Sequence, residues 1–157
     1  ETNETMNNHQ AFFNSQVPEL LSKLEHNTEQ LWGSMNASKM LNHLWAGTRI
    51  MMSKRTIALE VEAEKLPKLK AFLMSDRAFG ESLPKPQVYL EYENENPLAF
   101  MALKESFLKD LTKFDLLTST EKDFWSMHPS FGKLNAEETR QLQYKHIRHH
   151  FQQFGLM

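Results

Sequence analysis

Tyr144-Lys145-His146-Ile147-Arg148-His149-His150-Phe151-Gln152-Gln153-Phe154-Gly155 lies two residues short of the end of the chain. At the α-helical advance of about 100° per residue, His150 falls about 40° from His146, with Gln143 about 60° to one side and Gln153 about 20° to the other. Leu142 borders this arc on one flank and Ile147, Phe151 and Phe154 on the other, whereas Lys145 and Arg148 point away toward solvent. The spacing predicts an amphipathic helix whose buried edge carries a histidine pair. Asn135 followed by Glu138 predicts a capping box at its start, and Gly155 its end.

Working back along the chain, Phe100, Leu103, Phe107, Leu111 and Phe114 recur at spacings of three and four, which predicts a core-facing helix entered at Asn96 with Pro97 in its first turn. Met35 to Met52 reads as a second helix capped by Asn36, with Met40, Leu44, Gly47, Ile50 and Met51 on one stripe. His43 falls in the middle of that stripe. A first helix is expected from Ser15, with Ser15 as cap and Pro18 in the first turn, antiparallel to the second across a short linker. Residues 1–8 are polar, unpatterned and expected to be disordered.

The connector, residues 57–95, is too long for a structureless loop. Leu59 to Phe72 suggests a minor helix broken at Pro67; Gly80, Pro84 and Pro86 mark irregular chain; Gln87 to Glu93, with Val88, Leu90 and Tyr92 alternating, suggests an extended stretch. A crossover of this length lets the second and third helices run parallel. The expectation is all-α: one domain over residues 1–157, a four-helix bundle with a long crossover between helices 2 and 3.

Composition narrows the function. Eighteen Lys and Arg against 20 Asp and Glu give a net charge of -2, so there is no overall basic field for nucleic acid or an anionic membrane. Mean hydropathy is -0.57, and no apolar run approaches the length of a membrane span. With no cysteine, disulfides, thiolate ligands and a thiol nucleophile are all excluded. A start at Glu1 is what removal of a leader or tag leaves, and the expected location is cytoplasmic.

Two histidines at i and i+4 can converge on one ion, and a third from a facing helix completes a three-nitrogen site with a coordination position left open. Gly47, one turn from His43, leaves room beside it or lets helices approach closely. The alternative is that His43 is a satisfied core histidine and that His146 and His150 border a polar seam. His149, a further 100° or so round the helix, reads as an edge residue or a pocket contributor. His128 reads as structural in its turn, and Trp32, Trp45 and Trp125 as packing anchors. Tyr144 and Arg49 are candidates for proton donor and anion holder, or simply edge residues.

Leu31-Trp32-Gly33-Ser34-Met35-Asn36-Ala37-Ser38-Lys39-Met40-Leu41-Asn42-His43-Leu44, the turn His128-Pro129-Ser130-Phe131-Gly132-Lys133-Leu134 and the closing stretch quoted above together resemble the DinB/YfiT-like superfamily, in a branch that is a domain of unknown function. The resemblance runs from about Phe12 onward and is weakest in the connector. It implies a four-helix bundle holding a divalent metal, Zn, Ni or Fe, through His43, His146 and His150. Gln153 stands where the superfamily has a glutamine, and with Gln143 and Gly47 it would form the second shell or pocket. Characterised relatives are metal-dependent transferases and isomerases acting with low-molecular-weight thiols. The resemblance therefore implies a metalloenzyme, a thiol transferase or a hydrolase, taking a small-molecule substrate or thiol. The alternative is a non-catalytic interaction module, homodimeric through Met40, Met51, Met52 and the Phe-rich third helix.

Overall fold

A computed structural model describes residues 3–81, 85–95 and 98–157. Most of the described chain is helical, joined by one small antiparallel sheet. The elements are α1 (Asn3–Ala11), α2 (Val17–Leu21), α3 (Ala37–Met52), α4 (Leu66–Met74), α5 (Gln87–Glu95), α6 (Phe100–Thr120), β1 (Trp125–His128), β2 (Gly132–Asn135) and α7 (Ala136–Gln153). No helix among the described residues is long and apolar enough to cross a membrane.

The start of the chain differs from expectation. α1 begins at Asn3, so residues 3–8 are ordered helix, and it passes into α2 through a π-helical turn, Phe12–Gln16, that contains Ser15. Pro18 explains the wide turn: it has no N–H to give, and its ring crowds the carbonyl four residues back. In this turn the Val17 N–H reaches the Phe12 carbonyl five residues earlier. The polar first turns are held by tertiary contacts that local periodicity cannot reveal. Phe12 and His9 pack edge-on or tilted against Tyr144, and Phe13 against Phe114.

α3 starts at its Asn36 cap, whose side chain accepts the Lys39 N–H, and α7 at the Asn135–Glu138 capping box. Each such cap is worth about 1 kcal/mol. α6 begins at Phe100 after an extended Ala99; Asn96 and Pro97, its expected start, lie outside the described residues. In the connector, Pro67 begins α4 instead of breaking it, and Gln87–Glu95 is helical, not extended. The alternation of Val88, Leu90 and Tyr92 misleads because α5 buries the adjacent pair Val88 and Tyr89 and leaves Leu90 outside. The β1–β2 hairpin, register Trp125↔Asn135 to His128↔Gly132, was not expected. Its Ser126 hydroxyl hydrogen-bonds Thr139 at 2.7 Å, fixing the hairpin on α7.

Cross-links give the helix directions. Trp45 donates to Asp110 at 2.7 Å and Lys54 pairs with Glu121 at 3.1 Å, so α3 and α6 run parallel. His43 meets His146 and Thr48 meets Gln143, so α3 and α7 run antiparallel. The N-terminal helices lie mainly against α6 and α7, not against α3 as a short linker had implied. One core joins all of these, centred on Phe12, Phe13, Leu44, Phe107, Phe114 and Phe151. Burying each large apolar side chain contributes roughly 1.5–3 kcal/mol. Met40 and Met51 are fully buried in it and Phe107 and Phe114 with them, so these residues do not offer the dimer face expected of them.

Candidate metal centre

α3 and α7 face each other at the three histidines. His43 Nε2 lies 2.9 Å from His146 Nε2, and His150 Nε2 lies 3.2 Å from the same atom. His146 and His150 share one face of α7, and His43 comes from the antiparallel helix opposite, so the cluster joins positions 103 residues apart. All three rings are buried. Their arrangement as a group able to hold a metal ion is a property of the fold.

The outer nitrogens settle which protons the rings carry. Gln153 Nε2 donates to the Trp32 carbonyl at 3.0 Å, so its Oε1 is the acceptor 2.8 Å from His150 Nδ1, and that nitrogen donates. Glu93 Oε1 accepts from His43 Nδ1 at 3.0 Å. Both rings therefore turn a bare Nε2 lone pair toward His146 Nε2. One N–H on His146 can serve only one of them, and its Nδ1 is buried with no partner among the described residues. Protonation does not relieve the conflict. Burial lowers the pKa of His43 against the upward pull of Glu93, holds His150 down at about 3 and keeps His146 well below the ordinary histidine value. A cation does relieve it. Ligand nitrogens on a tetrahedral ion with bonds of about 2.0–2.1 Å stand roughly 3.3 Å apart; the two spacings to His146 are 2.9 and 3.2 Å, and all three nitrogens lie within 4.8 Å of one another.

Gly47 and Gly33 are shaped by this centre. A Cβ on Gly47 would stand 3.2 Å from the Tyr89 ring and 3.5 Å from His146 Cε1, so the missing side chain makes space for Tyr89, which packs over His43 with centroids 4.8 Å apart. Gly33 has φ +80°, and a Cβ there would meet Gln153 Nε2 at 2.8 Å. The linker before α3 is thereby wrapped onto the glutamine that orients His150. The Gln143 amide donates to Thr48 Oγ1 at 2.8 Å, and its Oε1 is buried without a hydrogen-bond partner among the described residues.

Glu93 and Lys85 belong to the site and were not singled out in the sequence. Lys85 Nζ contacts the two oxygens of Glu93 at 3.0 and 2.9 Å. Burial raises the Glu93 carboxyl, but the hydrogen bonds from His43 and Lys85 outweigh it and leave the group below the usual range. The pair stands eight residues apart in the connector, where no periodicity marks it. Arg49 is held away from the centre by the Tyr92 carbonyl at 3.1 Å and Glu95 at 3.4 Å. Tyr144 packs against α1. His128 accepts the Ser130 N–H at 3.0 Å, which holds the hairpin turn, and its ring also faces the site.

The histidines open onto a cavity of about 480 Å³ whose walls are largely apolar, with Met35, Leu69, Phe72, Phe79, Phe131 and Leu142 among them. That is the size and character of a small-molecule site. Compared with known proteins, the chain matches no family model and has no significant match among curated proteins or solved structures.

Proposed function

We propose that this chain is a metalloprotein that binds one divalent cation through His43, His146 and His150 and acts on a small molecule in the adjoining cavity, as a metal-dependent transferase or hydrolase. The observation that carries this reading is the convergence of three Nε2 atoms, two of them fixed as bare lone pairs, at the edge of an apolar cavity. A DinB/YfiT-like membership is part of the same proposal, supported by a ligand from α3 and a His-x-x-x-His pair from the last helix.

When bound, a divalent cation there supplies Lewis acidity toward a water, thiol or carbonyl group in the cavity. The protein's part is positional. Glu93 and Gln153 hold two ligand rings in the required tautomer, Gly47 lets Tyr89 close over His43, and the apolar walls keep bulk water from the reacting groups. Three imidazoles leave at least one coordination position for a substrate atom. Imidazole-only ligation does not by itself choose among Zn²⁺, Ni²⁺ and Fe²⁺; geometry and availability decide.

Elemental analysis of untagged protein, beside a His146→Ala/His150→Ala variant purified identically, tests the reading. About one metal per chain, absent from the variant, is expected. Equal metal content in the two proteins, or none in either after incubation with each ion, overturns it.

A further inference from the structure

A second recess of about 270 Å³ lies beside the apolar cavity, and Phe79 and His149 line both. Its chemistry is opposite. Arg77, Lys145 and Arg148 line it against a single acid, Asp76, in a chain whose net charge is -2. The guanidinium groups of Arg77 and Arg148 lie over the rings of Phe72 and Tyr144, 5.4 and 5.3 Å from the centroids, and among the described residues neither has a carboxylate partner. Contrary to the solvent-facing position expected of it, Lys145 is buried, and its ammonium is tied to the Phe72, Leu73 and Ser75 carbonyls at 2.9, 3.4 and 3.3 Å. Its hydrogens are thus committed to the end of α4, but its charge still acts on the recess, while the two guanidinium forks keep donors to give. His149 stands between the two spaces, its ring 6.3 Å from that of Phe79.

We infer that this recess is an oxyanion subsite continuous with the apolar cavity, and that the chain takes a small molecule with an apolar body and a terminal carboxylate or phosphate. The inference rests on the reading of the cavity as the substrate site. The reactive end sits at the histidines, the body lies along Phe72 and Phe79, and the anionic end meets Arg77 and Arg148. Lysine alone would attract any anion, but paired guanidinium forks favour the planar or tetrahedral oxygens of these two groups.

Titration calorimetry with ω-phenylalkanoates of increasing length, each beside the alcohol of equal length, tests it; the corresponding ω-phenylalkyl phosphates distinguish the two anions. Wild-type protein is expected to bind the best acid or phosphate about tenfold or more tightly than its alcohol, with a preference that falls as salt is added. Arg77→Gln/Arg148→Gln, both changes at or near the surface, is expected to abolish that preference while alcohol binding persists. The His146→Ala/His150→Ala variant separates the two readings. A preference retained there places the anion in the recess whether or not a metal binds. A preference lost there but kept in the arginine variant means that the acid binds at the histidines, which overturns the subsite. Equal binding of anion and alcohol by the wild type also overturns it.

Discussion

Glu93 holds His43 from the far side of the connector: its Oε1 accepts the Nδ1–H at 3.0 Å, and Lys85 neutralises it from outside. A carboxylate in this place both selects the tautomer and strengthens the opposite nitrogen as a donor to a cation. Glu93→Gln keeps the shape but loses the charge, and metal affinity measured by chelator competition is expected to fall about 10- to 100-fold. Lys85→Met is expected to cost less, since it removes only the outer partner. Unchanged affinity in Glu93→Gln would mean that the carboxylate only packs.

Gly33 offers a test of the linker. Gly33→Ala sets a side chain at φ +80° and against Gln153 Nε2. Urea unfolding is expected to show a loss of roughly 1–3 kcal/mol, with weaker metal retention because Gln153 no longer holds His150. A stable variant with normal retention would show that the linker moves freely.

Arg140 is fully buried and donates to Asp115 Oδ1 and Thr118 Oγ1, each at 2.9 Å, while Asn14 Nδ2 donates to the other Asp115 oxygen at 2.9 Å. This network ties the N-terminal helix to α6 and α7, far from the histidines in role. Asp115→Ala removes a buried carboxylate that pairs with the Arg140 guanidinium and is expected to cost about 3–5 kcal/mol by thermal or urea unfolding. Asp115→Asn, which retains an acceptor, is expected to cost less.

The stability of metal-free protein depends on acid through His128. Burial lowers its pKa to about 4, and its Nδ1 must stay bare to accept the Ser130 N–H. The unfolded chain takes up this proton near 6.5, the folded one only near 4, so the contribution is complete above 6.5 and is lost as pH falls through that window. A displacement of this size is worth up to about 3 kcal/mol. His128→Asn offers an oxygen to Ser130 without the titration. Its unfolding free energy, followed from about pH 7 down to 4.5, is expected to fall less steeply than that of wild type. Parallel slopes would assign the acid sensitivity to the other buried histidines.

The parts of this molecule that were legible in the sequence are those where local pattern and long-range packing agree. Asn36 and Asn135 cap the helices they were read to cap, and His43, His146 and His150 meet as the stripes on their helices imply. What was illegible depends on contacts between distant residues. Nothing near Asn3–Ala11 suggests order until Tyr144 and Arg140 are set beside it. The carboxylate that holds His43 comes from position 93, on a nine-residue helix whose tyrosine and valine alternate like a strand. The hairpin is four residues a side, and only its seating on α7 through Ser126 and Thr139 gives it a reason to form.

The parallel run of α3 and α6 obliges the chain to travel back along the molecule between them, and this return passage carries Val61, Leu69, Phe72, Phe79 and Tyr89, all of which line the apolar cavity. The three histidines stand instead on the long helices. A large part of the cavity wall is therefore written in a stretch of chain separate from the three histidines, even though Leu142 and Arg148 share α7 with two of them. Insertions or exchanges in the return passage can re-cut the chamber for a different guest while the nitrogen frame stays where the helices hold it.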